Sequence, residues 1–148
     1  MGPLLRAALH EMTPRRTRTS FWAWGVVAQD LTNTGRRDLV VTAGWADPGH
    51  AAYDLERPEY AVWRRSAGSP TRLWRNTGDG PWPEVAEAVG LLDRGNGKAL
   101  IAFDYDDDGD LDLLKVNTEA EPVLYRNDTP TGAGHRWLRV RLRDPDGT

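Results

Sequence analysis

The 148 residues contain no cysteine, which excludes disulfides and thiolate metal sites. The compartment stays open, because a bound ion can staple a fold where disulfides do not. Long apolar runs are also missing. None approaches the roughly 18 residues needed to span a bilayer, so no membrane span is expected. The N-terminal Pro3–Leu9 stretch is short and broken by Arg6, unlike a signal peptide. Neither acid nor base dominates: 19 basic residues face 22 acidic ones, and the net value of −3 gives no support to a nucleic-acid partner. Only three histidines occur, His10, His50 and His135, without ligand spacing, and they read as surface residues. No Ser-His-Asp order, Gly-x-Ser-x-Gly elbow or phosphate loop is present.

What is abundant points to β-structure. Hydrophobic residues make up 39% and charged residues 28%, a globular balance for one ordinary domain. Fifteen glycines, ten prolines and seven tryptophans suggest frequent turns between short aromatic-rich strands. Strands are expected at Val26–Gln29, Leu39–Ala43, Arg72–Asn76, Ala99–Phe103, Leu111–Val116 and Pro122–Asn127. The alternation of Leu138, Val140 and Leu142 with Arg139, Arg141 and Arg143 adds an edge strand at Trp137–Leu142, its arginine face solvated. Glu84–Val89 reads as a helical turn ended by Gly90.

The chain repeats itself. Asp30 matches Asp104 and Asp38 matches Asp112, both 74 positions on. Leu73-Trp74-Arg75-Asn76 matches Leu124-Tyr125-Arg126-Asn127 at a shift of 51. The difference places an insertion of 23 residues within Gly44–Thr71. A 51-residue period falls in the range of four-stranded propeller blades. At most about three such units fit, whereas a ring takes roughly four to eight. The expected fold is therefore all-β, a partial propeller of two to three antiparallel blades that stays an open stack. Its edges allow self-association.

Six of the twenty-two acidic residues lie between Asp104 and Asp112. Carboxylates occupy loop positions one, three, five and nine (Asp104, Asp106, Asp108 and Asp112), with Gly109 at six for the sharp reversal. Calcium takes six to eight oxygens, and such a loop can aim these carboxylates and the Asp110 carbonyl at one point. Position twelve is Lys115 rather than the glutamate of an EF-hand, and the flanks read as strands, so an EF-hand is rejected. The equivalent loop around Asp30 and Asp38 has Thr32 and Thr34 at positions three and five, next to Arg36 and Arg37. It reads as a degenerate metal loop.

These residues resemble a known family. The Asp-x-Asp-x-Asp-Gly-x-x-Asp loop between strands is similar to the FG-GAP and VCBS repeats of β-propellers, as in integrin α-subunits. The ordered segments RLWRNTGDGPWPEVAEAVGL, AFDYDDDGDLDLL, VLYRN and HRWLRVRL resemble bacterial proteins of the ASPIC/UnbV type. The resemblance implies a calcium-loaded propeller, extracellular or periplasmic, that serves adhesion or recognition of a protein or carbohydrate. It implies Asp104, Asp106, Asp108, the Asp110 carbonyl and Asp112 as Ca2+ ligands. Residues 1–20 would be a basic N-terminal segment, 21–133 the repeats, and 134–148 the start of an ASPIC/UnbV-like module. Trp22, Trp45, Trp63 and Trp82 read as filling between sheets, and Arg75 and Arg126 as ties from strands to the acidic loops. The expected function is non-enzymatic; the alternative is a polysaccharide-acting lyase or hydrolase on the same scaffold.

Overall fold

A computed structural model describes residues 23–44, 68–91, 93–118, 120–130 and 135–143. Six strands form two antiparallel three-stranded sheets. The first contains β1 (Ala23–Gln29), β2 (Asp38–Ala43) and β3 (Arg72–Trp74); the second contains β4 (Gly97–Phe103), β5 (Asp112–Asn117) and β6 (Val123–Tyr125). No helix occurs among the described residues, and hence none long and apolar enough to cross a membrane. The basic N-terminal segment and most of the Gly44–Thr71 insertion lie outside the described residues, as do His10, His50, Trp22, Trp45 and Trp63.

The internal repeat is reproduced down to single residues. Each first hairpin carries a bulge at the same place, between Ala23 and Gly25 and between Gly97 and Ala99. Leu39 pairs with Trp74, and the equivalent Leu113 pairs with Tyr125. The third strand of each sheet is short. After β3 the ladder continues only as a bridge between Trp74 and Glu84, with Val85 N–H bonded to the Leu73 carbonyl at 2.8 Å. Residues 84–91 then turn rather than form a helix. Val89 N–H reaches the Val85 carbonyl at 3.1 Å, Leu91 N–H reaches Ala86, and Gly90 takes a positive φ.

The sheets stack face to face. Val27, Leu31, Val40 and Leu73 from the first sheet pack with Ala86 and Leu91 against Leu100, Ala102, Leu113 and Tyr125 of the second. Each fully buried aliphatic side chain contributes about 1.5–3 kcal/mol. Close approach of β1 and β4 depends on Gly25, where a Cβ would lie 2.8 Å from the Leu100 nitrogen. Trp24 closes one end of this contact. Its indole N–H donates to the Gly44 carbonyl at 3.0 Å, and Lys98 sits 4.2 Å above the ring.

One expected strand does not form. Trp137–Leu142 makes no sheet pairing among the described residues; Leu138 is 84% and Leu142 93% exposed. Alternation specifies two faces but supplies no partner for either. Arg139 also departs from the solvated edge expected of it and pairs with Asp107, as described below.

Lys115, at the twelfth loop position, is the largest fully buried side chain. Its ammonium pairs with Asp93 Oδ2 at 2.7 Å and donates to the Gly95 carbonyl at 3.2 Å. Burial pushes the Asp93 carboxyl up, but bonds from Lys115, Gly95 N–H and Asn117 outweigh it and hold the carboxyl below its usual range. Asp93 also accepts Thr71 N–H through its carbonyl at 3.1 Å, which joins the linker to the first sheet. Lys115→Met keeps the apolar stem and strands this carboxylate, so urea unfolding should show a loss of about 3 kcal/mol. A carboxyl held low when folded adds stability above its unfolded value near pH 4, and that stability disappears as pH falls through the lower folded value. The unmodified protein should therefore lose stability below about pH 4 more steeply than Lys115→Met.

Candidate metal site

Both Asp-rich loops are built on one frame. Each links the first two strands of its sheet, and the aspartate at position one caps the turn. Asp104 Oδ1 accepts Asp108 N–H and Oδ2 accepts Gly109 N–H, both at 3.1 Å. Asp30 accepts Thr34 N–H at 3.0 Å and Gly35 N–H at 2.6 Å in the same way. The left-handed residues coincide as well: Asn33 (φ 53°) with Asp107 (φ 68°), and Gly35 with Gly109. At Gly109 the conformation is not the only constraint, since a Cβ would lie 2.0 Å from the Trp137 ring.

The aspartate at position nine faces inward. Asp112 is fully buried; its carboxylate accepts Tyr105 N–H and Asn127 N–H, each at 2.8 Å. Asp38 accepts Asn76 N–H at 2.8 Å and a backbone bond from Leu31, and burial raises its carboxyl above the usual value. The two asparagines answer in kind. Asn127 Nδ2 donates to the Leu111 carbonyl at 3.1 Å, and Asn76 Nδ2 donates to the equivalent Arg37 carbonyl at 3.2 Å. The Arg-Asn pair recurring in both repeats is the sequence signal for these asparagines. The arginines reach the loops through charge: Arg75 acts to lower the Asp38 carboxyl and Arg126 the Asp106 carboxyl, while Arg126 also pairs with Asp128 at 2.8 Å.

Three of the expected ligands converge. Asp104, Asp106 and Asp108 bring carboxylate oxygens within 4.8 Å of one another. Asp112 is not part of that group; desolvation first, then the charges of Asp108 and Asp112, push the Asp106 carboxyl up. Asp110 is 5% exposed; its Oδ2 accepts Thr129 N–H at 3.1 Å, while its Oδ1 is buried and unpartnered. Burial first, and then Asp108, pushes its carboxyl up to about 6. A cradle of three convergent carboxylates beside a buried, unsatisfied fourth fits a hard divalent cation, which takes oxygen ligands. In the first loop the hydroxyls of Thr32 and Thr34 lie 3.4 Å apart, and Asp30 is the only carboxylate among positions one, three and five.

The two loops lie side by side. Asn33 Nδ2 donates to the Gly109 carbonyl at 3.2 Å, and Asn127 Nδ2 also reaches the Leu31 carbonyl at 2.6 Å. Residues 135–139 cross both loops. His135 bonds the Thr32 carbonyl, so it is no free surface residue, and Arg136 N–H donates to the Asn33 carbonyl at 3.0 Å. The Trp137 ring lies on Gly109, and Arg139 grips the Asp107 carboxylate at 2.6 and 3.0 Å. Asp107 occupies position four, outside the ligand set. These arginine and tryptophan contacts carried no signal in the sequence, because they join segments 28 to 32 residues apart.

A cleft of about 400 Å³ opens between the sheets next to this loop face. Leu31, Asp38, Arg75, Tyr125 and Asn127 are among the described residues that line it.

Residues 56–114 match the family model of the FG-GAP-like repeat. The match runs through β3 and β4 and the complete acidic loop into β5. FG-GAP repeats are β-propeller blades, in accord with the two stacked antiparallel sheets. No curated protein matches the chain, and no solved structure does.

The geometry separates two kinds of aspartate. Asp112→Ala should strand two backbone N–H groups, costing about 2–6 kcal/mol in metal-free unfolding at roughly 1–3 kcal/mol per unsatisfied group. Asp106→Ala, at an exposed position, should leave metal-free stability close to that of the unmodified protein. Equal losses for both variants would show that position nine is not the tie described.

Proposed function

We propose that this FG-GAP-repeat chain is a calcium-binding, propeller-type module of the ASPIC/UnbV type, acting in recognition or adhesion rather than catalysis. The observation that supports it is the convergence of Asp104, Asp106 and Asp108 on a loop face bounded by both repeats. Asp104, Asp106 and Asp108 would hold the ion through carboxylates, with Asp110 and Asp112 completing the loop. The ion would supply charge neutralisation and would lock the loop face; Ca2+ suits a flexible, all-oxygen loop better than Mg2+, which demands near-octahedral geometry. The ligand would be a protein or a carbohydrate met outside the cytoplasm, in an extracellular or periplasmic setting.

Extracellular modules bind calcium with dissociation constants of roughly 10⁻⁴–10⁻³ M. At ten times such a constant, binding to the folded state adds about 1.4 kcal/mol. Millimolar calcium should therefore raise Tm, and Asp106→Ala should abolish the rise. An unchanged Tm at several millimolar calcium would sink the site.

The degenerate loop offers a gain-of-function test. Its backbone has the curl of the acidic loop, so Thr32→Asp combined with Thr34→Asp should create a second site in titration calorimetry. Two equal sites in the unmodified protein would contradict the reading of the threonines.

A further inference from the structure

The acidic loop has no cation within its own stretch. Asp104 to Asp112 contains six aspartates and no lysine or arginine, whereas the first loop carries Arg36 and Arg37 next to Asp38. A positive charge reaches the acidic loop from a distant segment instead. Arg139 holds Asp107 with both arms of its guanidinium, at 2.6 and 3.0 Å, and adds a bond to the Asp107 carbonyl at 3.1 Å. The same Nη2 stands 3.9 Å from Asp104 Oδ2, and Asp104 is one of the three convergent carboxylates.

This grip belongs to the strap formed by residues 135–139. The guanidinium carbon lies 5.5 Å over the Trp137 ring, and that ring lies on Gly109. Toward the first loop the strap makes bonds to backbone only, from Arg136 N–H to the Asn33 carbonyl and from His135 to the Thr32 carbonyl. Asn33, the counterpart of Asp107, is neutral. Among the described residues, the strap therefore places its charged contact on the loop that gathers carboxylates. The contact can also be released without unfolding the sheets. Trp137–Arg139 belongs to no strand, and the Arg139 and Asp107 side chains are 35% and 78% exposed. Ion pairs so open to water hold weakly.

We propose, on the calcium reading above, that Arg139 is a displaceable counter-ion of the acidic loop, so that docking of the strap and binding of the cation oppose each other. A guanidinium beside Asp104 repels a divalent cation held by that carboxylate. Across a few ångströms of water at physiological salt, this repulsion weakens cation binding by about three- to tenfold. Such coupling is reciprocal, so calcium loosens the strap by the factor by which the strap weakens calcium. A partner that draws the strap off the loop face, with an acidic group that takes Arg139, then tightens calcium at the same time.

The test titrates calcium alone into the complete chain by calorimetry and follows the Arg136 amide, bonded to Asn33, by NMR hydrogen exchange. Arg139→Gln should bind calcium about three- to tenfold more tightly than the unmodified protein. Arg139→Lys keeps the charge and loses the fork, so its affinity should stay within about twofold of the unmodified value. Saturating calcium should speed exchange of the Arg136 amide in the unmodified protein. Equal calcium affinity in Arg139→Gln and the unmodified protein overturns the proposal, and so does weaker affinity, the mark of a strap that props the loop open for its ion. Arg139→Lys behaving like Arg139→Gln overturns it too, because the grip rather than the charge would then matter, as does an Arg136 amide indifferent to calcium. Absence of calcium binding in all three proteins removes the calcium reading itself, and the antagonism with it.

Discussion

A buried carboxylate at the ninth loop position links the parts of each repeat. Asp112 accepts one N–H from the start of its own loop and one from Asn127, just beyond β6. Asp38 makes the same pair of contacts, to Leu31 and to Asn76 beyond β3. Loop, second strand and third strand are thus tied by two charge-assisted bonds, the stronger class of hydrogen bond. Three-residue strands hold few ladder bonds, and the tie explains how β3 and β6 keep their register. It also explains why the frame survives in the first loop, where the chemistry of positions three and five has been replaced.

That separation of frame from chemistry gives the acidic loop its character. The Asx turn at position one and the left-handed residues at four and six set the curl in both repeats. Carboxylates at three and five then add charge to a shape that already exists. In the second loop the result is electrostatically expensive: Asp106 is pushed up, and Asp110 is buried with an unpartnered oxygen. Like charges held close favour either protonation or a cation. The Arg139 guanidinium meets only part of that demand, since it binds Asp107 outside the cradle and stands 3.9 Å from Asp104.

Strand positions were legible because each lies between turn residues and carries apolar periodicity of its own. The six expected strands and the six observed ones agree to within one or two residues at most ends. The acidic cluster was legible for a similar reason, as Asp104, Asp106 and Asp108 are near neighbours in the chain. At Asp112 the spacing placed a carboxylate at position nine, but the two backbone N–H groups that it accepts, from Tyr105 and Asn127, became visible only in the fold. The Trp137–Leu142 alternation misled in the opposite way. It described a residue pattern suited to a strand, and pairing depends on a neighbour that the pattern does not contain.

The sequence by itself determined the all-β class, the duplicated unit, the two loops and the carboxylates of the candidate site. Each depends on contacts within about ten residues, where chain connectivity limits the geometry. Tertiary structure alone decided which sheet face is covered, that Lys115 lies buried on Asp93, and that residues 135–139 bridge both loops. Those outcomes turn on which surfaces meet, and equivalent positions answered differently: Val27 is in the core and Ile101 is exposed. The repeat makes the two residues interchangeable in sequence. Among the described residues, a sheet packs against the first and none against the second.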